Sequence, residues 1–268
     1  MSRAFIVAVV LLAATTAFGQ FRGFSGRAMR TPTVDSYDGQ FTFCRGIYTS
    51  GRRDGSGSGW TTDFPDADIN FSIRLSELTK TQVSFLPDGS PNHLVVRLTD
   101  PFLFQCPFVM MTDVGELSLS GEEVASLRQY FDQGGFLWVD DYWGSWAWEA
   151  WAGEIAKVFP PAQFPIRDVT PDHPIFRMMF LVPKLPQIPS INSWRGMGSD
   201  TSELGADSAE PHIRAISDRH GRIMLLMTHN TDISDAWERE AADPRYFYSF
   251  SPNGYAVGLN VALYAMSH

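Results

Sequence analysis

The segment from Leu119 to Asp141 constrains this chain more than any other, because it encodes a helix start, a helix stop and a buried strand in succession. Ser120 and Glu123 stand at capping-box spacing, and Leu119 and Val124 at that of a hydrophobic staple. Val124, Leu127 and Phe131 then form one apolar stripe, which Gly134 and Gly135 bring to a stop. Phe136 to Val139 is short and continuously apolar, the pattern of a strand covered on both faces. That strand ends on two carboxylates, Asp140 and Asp141. In open α/β sheets ligands bind outside the carboxyl ends of the strands, so this pair marks where a site is expected.

Other segments repeat the alternation of strand and helix. Phe41 to Tyr48, Thr81 to Leu86, His93 to Leu98, the run ending at Asp113, Ile213 to Ile216 and Arg222 to Met227 read as strands. Asp66 to Lys80, with an Asp N-cap after Pro65, Ser145 to Phe159 and Tyr255 to Met266 read as helices. Residues 163–210 are rich in Pro and Gly without clear periodicity, as expected of insertions laid over a core. Apolar strands alternating with helices predict an α/β three-layer sandwich with a mostly parallel central sheet, in one domain over residues 40–268. Residues 20–39 read as a flexible lead-in, and the glycine-serine run from Gly51 to Gly59 as a mobile loop.

Residues 1–19 have the make-up of a cleaved leader: Arg3, an apolar run from Phe5 to Ala14, then Ala17-Phe18-Gly19. The expectation is an exported protein, periplasmic or extracellular, with no transmembrane segment in its mature chain. A net charge of −9 and the lack of any Lys/Arg cluster argue against a nucleic-acid partner. Neither a GxGxxG nor a GxxxxGK[ST] run is present, so no nucleotide is expected. The two cysteines, Cys44 and Cys106, lack metal-ligand spacing; a disulfide and two buried thiols are both open.

Parallel strands finish on one edge, which predicts that Asp100, Asp113, Asp140 and Asp141 gather with His229, Asn230, Asp232 and Asp235. A carboxylate–imidazole cluster of that kind suits a divalent metal or a water positioned for hydrolysis. Taken singly, each residue is more simply accounted for as a cap of the next helix or a turn former. Tyr142, Trp143 and Trp146 follow the strand end directly, and rings beside carboxylates suit a sugar, while Trp138 and Trp151 read as core. The function expected is therefore a non-catalytic or binding domain for a small polar or carbohydrate ligand or an envelope protein partner. The alternatives are a metal-assisted hydrolase of a glycan or envelope substrate and a structural subunit of an envelope complex.

The segments Gln133 to Asp141, Asp172-His-Pro-Ile-Phe176, Thr228 to Glu240 and Gly258 to Ala265 resemble an uncharacterised family of exported bacterial domains. That family is similar to the class I glutamine amidotransferases, which have a flavodoxin-like fold. The resemblance implies a fold and no assigned activity. In those amidotransferases the strand after the glycine stop leads to a cysteine nucleophile, whereas here it leads to Asp140-Asp141-Tyr142. Glutamine hydrolysis is accordingly not expected. Relatives of that fold class that lack the cysteine, such as the trehalose-utilisation-like proteins, are associated with carbohydrates.

Overall fold

The computed structural model describes residues 29–51, 58–198 and 200–268; the leader and most of the glycine-serine loop lie outside them. Strand β1 (Phe43–Ile47) is followed by α1 (Asp66–Leu78), β2 (His93–Arg97) and β3 (Phe108–Thr112). Next come α2 (Gly121–Asp132), β4 (Phe136–Asp140), α3 (Gly144–Ile155), β5 (Arg167–Asp168) and α4 (Ile191–Met197). The chain closes with β6 (His212–Ser217), β7 (Ile223–His229), α5 (Asp235–Glu238) and α6 (Pro244–Ser267). All seven strands form one sheet in the order β2-β1-β3-β4-β7-β6-β5. The first five are parallel, and β6 and β5 are added antiparallel.

Every residue of β1, β3, β4 and β7 is buried, because helices cover both faces. One face packs Phe43, Phe108, Trp138 and Leu226 against Phe71 and Leu75 of α1 and Leu259 of α6. The other packs Val109, Leu137, Val139 and Met227 against Leu127 and Phe131 of α2 and Trp151 of α3. The capping box of α2 forms as its spacing predicts, with Ser120 and Glu123 each accepting from the other's backbone N–H. At the end of α2 Gly134 has φ +95°, and a Cβ on Gly135 would stand 2.4 Å from the Tyr130 ring. The ring sits there because its hydroxyl donates to Cys106 O and Phe136 O, joining α2 to the starts of β3 and β4.

Several local expectations are corrected. Residues 81–86 make only isolated bridges, Phe41 to Val83 and Phe85 to Pro91, since Pro87 and Pro91 leave no room for a ladder. Asp66 is the first residue of α1 rather than its cap, the cap position being Pro65. Helix α3 stops at Ile155 instead of running to Phe159, and α6 starts at Pro244, eleven residues before Tyr255, with Pro252 inside it. The second half of the expected lead-in is tied down: Val95 N donates to Arg30 O, and the Tyr37 hydroxyl lies against Phe102 O and Cys106 Sγ. Among the described residues no helix is long and apolar enough to cross a membrane.

The cysteines form a disulfide, Cys44 to Cys106, with Cα atoms 6.1 Å apart and a sequence separation of 62. It ties β1 to the turn that enters β3. By the loop-entropy argument a closure of this length stabilises by about 4 kcal/mol at most. Reduction, or replacement of both cysteines by Ala, is expected to lower the unfolding free energy by roughly 2–4 kcal/mol in a denaturant titration. An unchanged midpoint under strong reductant would show that the bridge contributes nothing.

Candidate functional site

Strand alternation decides which side chains reach the carboxyl edge, and on which face. In β4, Phe136, Trp138 and Asp140 share the face covered by α1 and α6, and in β7 Leu226 and Thr228 do the same. Thr228 Oγ1 accepts from Trp138 Nε1 at 2.8 Å and lies 2.6 Å from Asp140 Oδ1. Asp140 Oδ2 accepts from Ser234 N at 3.0 Å, so the carboxylate is fully buried but hydrogen-bonded on both oxygens.

Four non-glycine residues adopt positive φ among the described residues: Asp63 (64°), Asp113 (54°), Asp141 (54°) and Asn230 (60°). Asp113, Asp141 and Asn230 each follow the last residue of a strand, β3, β4 and β7, and Asp63 lies in the connection after β1. Left-handed backbone costs a non-glycine residue roughly 1–2 kcal/mol, and Asx residues bear it best. Such outliers cluster where the chain is held for a purpose. Neighbouring groups hold these turns: Asp113 N donates to Asp140 O and Asp141 O, and Gly59 N donates to Asp113 Oδ2 at 2.8 Å. Asn230 is a brace, accepting from Gly144 N, donating its amide to Glu210 O, and donating its own N–H to Tyr142 O.

The turns bring carboxylates from separate segments together. One oxygen each from Asp63, Asp141 and Asp232 lie within 4.8 Å of one another, as do oxygens from Asp63, Asp235 and Glu238. Asp232 and Asp235 arrive on the turn into α5, where Asp232 Oδ1 accepts from Asp235 N at 2.7 Å and Asp235 Oδ2 from Ile191 N at 2.9 Å. The four-residue α5 is seated on α6 at two glycines. A Cβ on Gly254 would meet Ala236 Cβ at 2.6 Å, and one on Gly258 would meet the Trp237 ring at 2.3 Å. Asp63 and Glu238 are missing from the sequence reading. Asp63 had a signal, since it lies in the segment following a predicted strand, but neither neighbour nor spacing singles it out. Arg45, buried in β1, is also unforeseen; it pairs with Asp68 of α1 and donates to Thr112 Oγ1 at 3.0 Å.

Cations balance this cluster only in part: the charges of Arg45 and Arg239 act on Asp63, and Arg239 acts on Asp235 and Glu238, but among the described residues no ion pair reaches Asp141 or Asp232. Arg45 is taken up by Asp68, and Arg239 pairs with Glu238 at 2.7 Å and Asp235 at 3.6 Å. Burial pushes Asp140 up to about 7, with the Asp63 charge adding to it. Burial and Asp63 push Asp235 up to about 7 and Glu238 up to about 8. Asp141 and Asp232 are driven well above the usual carboxylate range by burial first and then by neighbouring acids, and burial also raises Asp63.

His229 does not join these carboxylates. As the residue after Thr228 it projects to the opposite face, where its ring lies against Tyr142, Trp148 and His212 at centroid distances of 4.9, 5.4 and 5.8 Å. Arg214 Nη1 lies 3.4 Å from Nδ1 and Gly144 O 3.0 Å from Nε2. A guanidinium only donates and a carbonyl only accepts, which fixes the neutral Nε2–H tautomer. Burial lowers its pKa to about 4, with Arg214 and His212 acting in the same sense. The aromatic platform is corrected as well. Tyr142 is 1% and Trp143 7% exposed, Trp143 Nε1 donates to Asp141 Oδ1 at 2.9 Å, and only Trp146 is open to solvent. Asp100 caps the following turn through Phe102 N.

A pH dependence follows. Asp140, Asp235 and Glu238 have folded values above their unfolded ones of about 4. Their protonated forms stabilise the fold fully below about pH 4, and that contribution is lost as pH rises through about 7 to 8. His229 runs the other way: its contribution is complete above its unfolded value of about 6.5 and is lost as pH falls toward about 4. Between about pH 6.5 and 8 only the carboxylates act. With chelator present, the unfolding free energy is expected to fall across that window by at least about 1 kcal/mol, and Asp235→Asn to flatten the slope. A level profile for the unsubstituted protein would contradict the burial-driven shifts.

No curated protein matches the chain. The model of a family described as a domain of unknown function, DUF4159, matches residues 48–266. That span includes every strand from β2 to β7 and all the carboxylates described above, and on it the chain belongs to this family of domains of unknown function.

Proposed function

We propose that this is a binding domain of the exported compartment whose carboxylate cluster holds a divalent cation, Mg2+ or Ca2+, as the anchor for a small polar ligand. One observation carries the reading: oxygens of Asp63, Asp141 and Asp232 come within 4.8 Å of one another from three separate segments. Opposite oxygens around such an ion are about 4–5 Å apart, so the trio has the right spread for a shared ion. All three donors are hard oxygens, which suits these cations and not zinc. No Lys or Arg forms an ion pair with Asp63, Asp141 or Asp232 among the described residues. Arg45 and Arg239 act on Asp63 only from beyond ion-pair distance, so repulsion within the trio remains for a cation or protons to relieve.

Export is supported by the leader-like residues 1–19 and by the Cys44–Cys106 bridge, which persists in oxidising compartments. The amidotransferase-like reading of the fold is supported by five parallel strands with helices on both faces. Asp140-Asp141 at the end of β4, where that resemblance would put a cysteine, speaks against glutamine hydrolysis. A carbohydrate ligand loses its aromatic support with Tyr142 and Trp143 buried. Metal-assisted hydrolysis stays as the second reading, because an ion held by oxygens of Asp63, Asp141 and Asp232 could activate a bound water there.

Added Ca2+ or Mg2+ is expected to raise the melting temperature at about pH 8, and chelator to reverse the rise. Saturation at a hundred times the dissociation constant corresponds to about 2.7 kcal/mol. Asp141→Asn and Asp232→Asn should each abolish the rise while making the metal-free protein more stable, since each removes a repelling charge. No shift with either ion at about 10 mM, beyond the range of weak extracellular sites, would reject the proposal.

A further inference from the structure

A cavity opens where the sheet comes apart on its antiparallel side. The last bond between the β5 chain and β6 is Val169 N to Ile213 O at 3.0 Å. Pro171 and Pro211 follow and precede those residues, and neither has an N–H to continue the ladder. The two chains part there and leave a cavity of about 630 Å3. That volume is within the usual range of small-molecule sites.

The walls differ in character. Phe176, Leu185 and Ile213 form an apolar floor, the first two being buried against the core. Lys184 and Glu210, both exposed, supply one positive and one negative charge to the lining. The wall between this cavity and the carboxylate edge is fixed by hydrogen bonds. Gln187 Nε2 donates to Ser208 O at 2.8 Å and Asn230 O at 3.1 Å, and its Oε1 accepts from Thr201 Oγ1 at 2.8 Å. Ile188 N donates to Thr231 Oγ1, and Ile188 O accepts from Asp232 N. With that wall hydrogen-bonded and three prolines in its lining, the cavity is formed before a ligand arrives, which reduces the ordering cost of binding.

We infer that this cavity is a binding site for a short apolar peptide with free ends, its side chains on the Phe176–Leu185–Ile213 floor, its carboxylate toward Lys184 and its ammonium toward Glu210. A fully apolar ligand would leave both charges without use, and a singly charged one would meet one charge of its own sign. A zwitterion with an apolar body matches floor and rim together. The site is separate from the carboxylate cluster and needs no cation.

The test is calorimetric titration of the full chain with trileucine in chelator. Saturable one-to-one binding is expected, and trileucine acetylated and amidated at its ends should bind several-fold more weakly. Lys184→Glu and Glu210→Lys should each weaken binding by about five-fold, the scale of an exposed charge contact. The double swap should return affinity to within about two-fold of the original, because the peptide can reverse. Both positions are on the surface, so folding is checked by the melting temperature alone. Absence of binding at about 10 mM, equal binding of the capped peptide, or indifference to the swaps would overturn the assignment.

Discussion

Parallel pairing imposes the constraint on which the rest of this structure depends: strands running in one direction deliver all their last residues to one edge. Here β1, β3, β4 and β7 do so; β3, β4 and β7 are followed at once by Asp113, Asp141 and Asn230, and the longer connection after β1 brings Asp63. The apolar strands fix the edge in space, and left-handed turns at Asp113, Asp141 and Asn230 redirect the chain as soon as it leaves the sheet. Hydrophobic burial of the strands thus holds together a group of charges that would disperse if free to do so.

Those charges are expensive to hold. Burial and mutual repulsion both oppose ionisation; of the nearby arginines, Arg45 pairs with Asp68, and Arg239 pairs only at the Asp235 and Glu238 end of the cluster. A fold under no other demand would place apolar or amide side chains at such positions with little loss. The cluster instead receives hydrogen bonds that orient it, from Ser234, Trp143 and the backbone of Asp235 and Ile191. Orientation with incomplete neutralisation is what a cation-binding group of carboxylates requires.

Features written in neighbouring residues were legible in the sequence, and features that depend on distant partners were not. The α2 capping box, its glycine stop and the buried β4 are local, and they led directly to Asp140 and Asp141. His229 was misplaced by parity: it is one residue beyond Thr228, and in a strand that single step exchanges one face for the other. Asp63 and Glu238 are singled out by no local pattern and gain their role only when α1, with the segment leading into it, packs beside α5. The full length of α6 was hidden by Pro252 and Gly254, residues that usually break helices, but here packing against Ala236 and Trp237 favours the small one. Whether Cys44 meets Cys106 was a question of distance, which spacing does not answer.

The close seating of α5 on the glycines of α6 has a consequence for how the acidic turn tolerates change. A four-residue helix cannot hold its own shape in water, so Asp235 and Glu238 borrow their alignment from a smooth strip on a much longer rod behind them. Roughening that strip by a single methyl group, well away from any ligand, would tilt the platform and spread the oxygens apart. The geometry of the front is therefore machined into the back of the molecule.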